Sequence, residues 1–97
     1  MPTYVSLINW TDQGIRTVKE TIDRGASFAE LAQKHGASLE QVYWTVGPYD
    51  IVAIIEAPDD ESLTATLLEG GTWGNIRTTT LRAYDREEMS GIIQRLG

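Results

Sequence analysis

The chain has no cysteine, one histidine, one phenylalanine and three prolines in 97 residues. Without cysteine there is no disulfide framework, no thiolate nucleophile and no zinc–thiolate site. A single histidine would leave a transition-metal site to carboxylates, a poor donor set for such metals. No metal and no other cofactor is therefore expected. Basic residues are also few: eight Lys and Arg stand against fourteen Asp and Glu, for a formal charge of −6. Nucleic acids and anionic membranes both require clustered Lys and Arg. Here the basic residues are scattered, so neither is an expected partner. No apolar run approaches the ~18 residues that would span a bilayer. Met1-Pro2-Thr3-Tyr4 leads straight into a strand-like pattern, with no basic n-region and no apolar h-region of a signal peptide. Cytoplasmic residence is the resulting expectation.

The remaining composition, 41% apolar and 23% charged, is that of an ordinary globular protein. One domain over residues 1–97 is expected. A chain of this length buries only roughly 60–65% of the surface its unfolded form exposes. Self-association would offset so thin a core.

Thr3 to Trp10 is rich in β-branched and aromatic residues and reads as a strand. Thr11 or Asp12 can then cap a helix, with Ile15, Val18 and Ile22 as its apolar stripe. Arg24-Gly25-Ala26 interrupts this helix, and Ser27 and Glu30 form a capping box for a second one. That helix stops at His35-Gly36, because glycine readily takes the left-handed terminating conformation. Leu39 to Val46 is strand two, with Val42, Trp44 and Val46 on one face. Gly47-Pro48 turns into strand three, Tyr49 to Ala57, whose unbroken apolar run predicts cover on both faces. Pro58-Asp59-Asp60-Glu61 opens a helix that Gly70-Gly71 ends; Leu63, Leu67 and Leu68 are its stripe. Ile76 to Tyr84 is a Thr-rich edge strand. Asp85 and Glu88 cap a last helix with Met89, Ile92, Ile93 and Leu96 as its buried side.

The order β-α-β-β-α-β plus a C-terminal helix predicts an α+β, ferredoxin-like fold. Right-handed crossovers put both helices on one face of the sheet, with strands one and three in the middle. The other face retains apolar side chains, so a sheet-to-sheet homodimer, an α+β barrel, is expected.

Gly47-Pro48-Tyr49-Asp50 resembles the Gly-Xaa-Tyr-Asp signature of the GYD-domain family of small bacterial proteins. The resemblance extends to Trp10-Thr11-Asp12-Gln13-Gly14-Ile15-Arg16, to Tyr43-Trp44-Thr45, to Glu56-Ala57-Pro58-Asp59-Asp60 and to Gly74-Asn75-Ile76-Arg77-Thr78. It implies a dimeric ferredoxin-like fold and carries over no catalytic residue. Proline in the second signature position is compatible with a turn, since it fixes φ.

Seven residues are candidates for a ligand site. Tyr49 and Asp50 would point hydrogen-bonding groups at a ligand, or Asp50 would act as a base; alternatively Asp50 binds nearby amides or Arg77 or Arg82, and Tyr49 packs at an interface. Trp10, Trp44 and Trp73 would line an apolar pocket; alternatively Trp44 anchors a dimer interface. Asn9 and Arg77 would bind a carboxylate or phosphate; alternatively Arg77 pairs with Glu56 or Asp50. His35 reads as a haem ligand or, more plainly, as a histidine favoured by a helix C-terminus. Asp59-Asp60-Glu61 is a set of helix-start acids rather than a metal cluster, and the Gly70-Gly71 region lacks the Lys-Ser/Thr of a phosphate loop.

Three functions fit. The first is a small homo-oligomeric binding or regulatory module with a small-molecule pocket near the Gly47–Asp50 turn. The second is a cofactor-independent enzyme of the dimeric α+β barrel type, a monooxygenase or isomerase with Asp50 as base and Tyr49 or Trp44 orienting the substrate. The third is a structural assembly module. No motif demands catalysis, and the first is preferred.

Overall fold

A computed structural model describes residues 1–97. The β-branched run Thr3–Trp10 forms β1. After it come α1 (Asp12–Arg16), a 3-10 turn (Val18–Glu20) and α2 (Thr21–Lys34). Then follow β2 (Ser38–Trp44), β3 (Ile51–Glu56), α3 (Asp60–Gly71), β4 (Ile76–Ala83) and α4 (Arg86–Ile93). The four strands form one antiparallel sheet in the order β2-β3-β1-β4, with β1 and β3 central as expected. No helix is long and apolar enough to cross a membrane.

Strand alternation decides which side chains meet the helices. Tyr4, Ser6 and Ile8 of β1 register with Ile55, Ala53 and Ile51 of β3, and all six are buried. Phe28 and Ala32 of α2 and Leu63 of α3 close over them. Complete burial of a side chain such as Ile55 is worth about 1.5–3 kcal/mol. Val5, Leu7, Val52 and Ile54 point to the opposite face, where they are only half-buried and no helix covers them. β3 therefore alternates, and the expected cover on both its faces is not supplied within this chain.

β2 bulges between Leu39 and Gln41. The extra residue, Glu40, lets Leu39 and Val42 share the helix-facing side although they lie three apart. Downstream of it, Trp44 registers with buried Ile51. Trp44 thus belongs to the helix side of the sheet, not to the face that a sheet-to-sheet partner would cover.

The helical boundaries differ from expectation in three places. The first break falls at Thr17–Glu20, and α2 runs unbroken through Gly25 and Ser27. Ile15 and Ile22 are exposed, so the expected stripe does not exist. Gly70 and Gly71 form the last turn of α3 instead of following it. There Gly70 serves packing: a Cβ on it would lie 2.7 Å from Cε2 of Phe28. The capping box of Asp85 and Glu88 is present, yet α4 buries none of its residues, and Met89, Ile93 and Leu96 are exposed. Gly36 takes φ +79 after α2, the expected left-handed terminator.

Candidate functional site

The site is built around the junction of β1 with α1. Thr11 caps α1: its hydroxyl accepts from Gly14 N at 3.1 Å and donates to Gly74 O at 2.6 Å. Thr11 N donates to Asn75 O at 3.0 Å. Gln13 Nε2 donates to Trp73 O at 3.1 Å and to Asn75 Oδ1 at 2.9 Å. These bonds from Thr11 and Gln13 lock the loop 72–75 against the end of β1, and with it the position of Trp73.

Beside this lock lies a cleft of about 60 Å³ between the sheet and α2. Trp10 from β1, Trp44 from β2 and Trp73 from the locked loop all line it, as do Phe28 and Ile51. Trp44 Nε1 donates to Thr21 Oγ1 at 3.0 Å. Trp10 Nε1 is shielded from solvent and has no acceptor. A buried donor without a partner is uncommon and destabilising by about 1–3 kcal/mol.

Arg24 of α2 also lines the cleft. Its Nη1 donates to Thr17 Oγ1 at 2.7 Å and its Nη2 to Gly14 O at 3.1 Å, which holds the guanidinium in place. Neither Arg24 nor Thr21 stood out in the sequence. Their signal was the spacing Thr21, Arg24, Gly25, Phe28, one helical face mixing polar, small and aromatic residues. An apolar stripe search passes over such a face.

The other candidates lie outside the cleft lining. Asp50 Oδ2 accepts from Trp10 N at 2.9 Å, while Asp50 N donates to Ile8 O at 2.9 Å. The side chain thereby extends the pairing of β1 and β3, and no arginine bonds to it. Tyr49 O accepts from Thr45 Oγ1 at 2.6 Å within the β2–β3 connection. Asn9 and Arg77 face one another in the β1–β4 register. Arg77 makes no ion pair: those of the fold are Lys34–Glu69, His35–Glu69 and Arg82–Glu88. His35 Nε2 stands 3.0 Å from Glu69 Oε1. The hydrogen bonds from His35 and Lys34 hold the Glu69 carboxyl below its ordinary pKa.

A second polar cluster ties the N-terminus of α3 to the sheet. Tyr4 donates its hydroxyl proton to Asp60 Oδ1, and the Arg82 guanidinium lies 5.7 Å from the Tyr4 ring centroid. The bond to Asp60, with burial, pushes the Tyr4 phenol up to about 12. Asp59 caps α3 by accepting from Ser62 N at 2.8 Å, and that bond lowers its pKa. Asp60 thus accepts from a phenol and Asp59 from a backbone amide.

The GYD domain model matches residues 4–93. A Thermus thermophilus protein named "Glutamine synthetase and cystathionine beta-lyase binding protein" is 32% identical over 84 residues, 86% of this chain and 88% of that protein. The crystal structure of TTHA0845 from Thermus thermophilus superposes with a TM-score of 0.55 at 28% identity, over 89% of this chain and 100% of the other. The crystal structure of MtbAldR gives a TM-score of 0.63 at 15% identity, a likeness of fold alone. It covers 88% of this chain, which spans only 52% of MtbAldR. A family model matched over nearly the whole length, a relative above 30% identity and the observed strand order agree: the chain belongs to the GYD domain family.

Proposed function

We propose that this protein is a small binding module whose ligand site is the tryptophan cleft. One observation carries the reading: three tryptophans far apart in sequence line a single apolar cleft, and one of their indole N–H groups has no acceptor. Such a lining suits a small ligand with an apolar body. The cleft adjoins the Gly47–Asp50 turn through Ile51, which follows the turn in sequence and lines the cleft. Thermal unfolding against a broad set of metabolites tests it. A binder present at 100 Kd raises stability by about 2.7 kcal/mol. No shift across the set would sink the reading.

Protein partners are the second reading. The Thermus relative is named for binding two metabolic enzymes. Exposed Met89 and Ile93 on α4, Leu96 just beyond it, and Tyr43 and Leu81 on the open sheet face, give this chain apolar surface for contacts between proteins. Co-elution with glutamine synthetase or cystathionine beta-lyase from its own host supports this reading; separate elution at micromolar concentration removes it. The open sheet face also supports homodimerisation, with a solution mass near twice 10.8 kDa as the expected result. A monomer at micromolar concentration would remove that part. An enzymatic role for Asp50 has less support, because its carboxylate is engaged by the Trp10 amide.

A further inference from the structure

We infer that α4 is an exchanged arm: its apolar stripe docks on the open sheet face of a second copy of this chain, which returns its own α4 in the same way. This rests on the homodimer reading above and supplies the contact by which the two copies hold each other.

Two apolar surfaces of the chain lack a partner within it. Met89, Ile92, Ile93 and Leu96 recur at the spacing of one helical face, yet α4 buries none of its residues. A helix of eight residues is too short to be stable alone in water, so it needs that face covered. The other surface is the open side of the sheet. There Val5 registers with Ile54 and Leu81, and Leu7 with Val52, with no helix over them. Stacking two bare sheets would cover the second surface and leave the first in water. Exchange of α4 covers both, and a reciprocal contact of this kind closes around a two-fold axis.

The exposed area matches such an exchange. The chain has an accessible surface of 6437 Å² at 10.8 kDa, where a monomeric protein of that mass exposes about 5,500 Å². The excess of about 900 Å² is close to the ~800 Å² that each partner gives to a stable interface. The radius of gyration is 14.6 Å, against about 12.5 Å for a compact chain of this length.

The helix is held away from the open face of its own chain. Arg82 registers with Tyr4, which is buried on the helix side of the sheet, and its guanidinium lies 5.7 Å from the Tyr4 ring centroid. Arg82 Nη2 donates to Glu88 Oε2 at 3.4 Å, in the first turn of α4. That bond pins the start of α4 to the same side as Tyr4. Only Tyr84 and Asp85 link β4 to α4, too few to carry the helix round to the other face while the bond holds.

Sedimentation equilibrium of the full-length protein at micromolar concentration tests the exchange. The wild type is expected near twice 10.8 kDa, and Ile93→Asp near 10.8 kDa. Ile93 is exposed in the single chain, so the substitution is expected to leave its circular dichroism unchanged. The sequence has no cysteine, so introduced thiols report contacts directly. Mixed under mild oxidation, the Ile93→Cys and Leu81→Cys proteins are expected to form chiefly the disulfide between unlike chains. Linkage of Leu81→Cys chains to one another, with no unlike pair, means that bare sheets stack and overturns the inference. A dimer that survives Ile93→Asp overturns it too, while the homodimer reading stands. A wild-type monomer overturns both. The thiol pairing needs no Asp variant, so it stands even where Ile93→Asp fails to fold.

Discussion

A Cβ placed on Gly14 would stand 2.0 Å from the carbonyl oxygen of Asn75, so these residues touch backbone to backbone. That contact lets Thr11 and Gln13 reach the 72–75 loop and holds Trp73 at the cleft. Gly14→Ala must push the two backbones apart. It is expected to destabilise the fold by about 2–3 kcal/mol, in the range of overpacked cores. Urea denaturation monitored by tryptophan fluorescence measures this; an unchanged midpoint would show that the junction yields freely.

Gly70 faces Phe28 in the same manner, but here the obstacle is a side chain. Gly70→Ala is expected to cost about 1–3 kcal/mol. Phe28→Leu, which removes the ring, is expected to recover part of that loss when combined with it. A double-mutant cycle reads the coupling, and simple additivity would contradict the contact.

Asp50 serves the backbone of β1 through Trp10 N. Asp50→Ala is expected to lower stability by about 1.5–3 kcal/mol, the range for hydrogen bonds to charged groups. Asp50→Asn retains a carbonyl acceptor and should lose less. Equal stability of wild type, Asn and Ala variants in chemical denaturation would show the bond to be idle.

The phenol of Tyr4 is pushed up to about 12 in the folded protein, chiefly by its bond to Asp60. A free tyrosine ionises near 10. The unfolded chain therefore releases this proton first as the pH rises. The contribution of Tyr4 is fully present below about pH 10 and is lost towards pH 12, with an upper bound of about 2.7 kcal/mol. Tyr4→Phe should lower stability near neutral pH and flatten the decline between those values. Parallel alkaline profiles for the two proteins would remove the assignment.

Local signals were the legible part of the fold. Thr11, Asp85 with Glu88, and Gly36 each act on backbone groups within a few residues, and each appears where expected. The central places of β1 and β3 were legible because topology and β-branched content point the same way. Gly25 and Ser27 misled because packing of Phe28, Leu31 and Ala32 carries α2 straight through them. On α4 the apolar stripe states that a face needs cover, which differs from saying that this chain supplies it.

The cleft was half legible. Trp10, Trp44 and Trp73 stood out as large amphipathic side chains, but only strand register and the Gly14–Asn75 contact bring them to one place. Tyr49, Asp50, Asn9 and Arg77 stood out by chemistry, yet none of them is among the residues that line the cleft. Arg24 and Thr21 line the cleft as well, on a helical face that mixes polar, small and aromatic residues.

The bulge of β2 makes that strand tolerant of a change in length. Leu39 meets Ile55 and Gln41 meets Ile54, so Glu40 has no rung of its own on the ladder. Removing it would join two stretches that already agree about which side is which. Leu39, Val42 and Trp44 would all keep their places, and the strand would lose a kink instead of a face. Elsewhere in the sheet a one-residue deletion would turn the rest of its strand inside out.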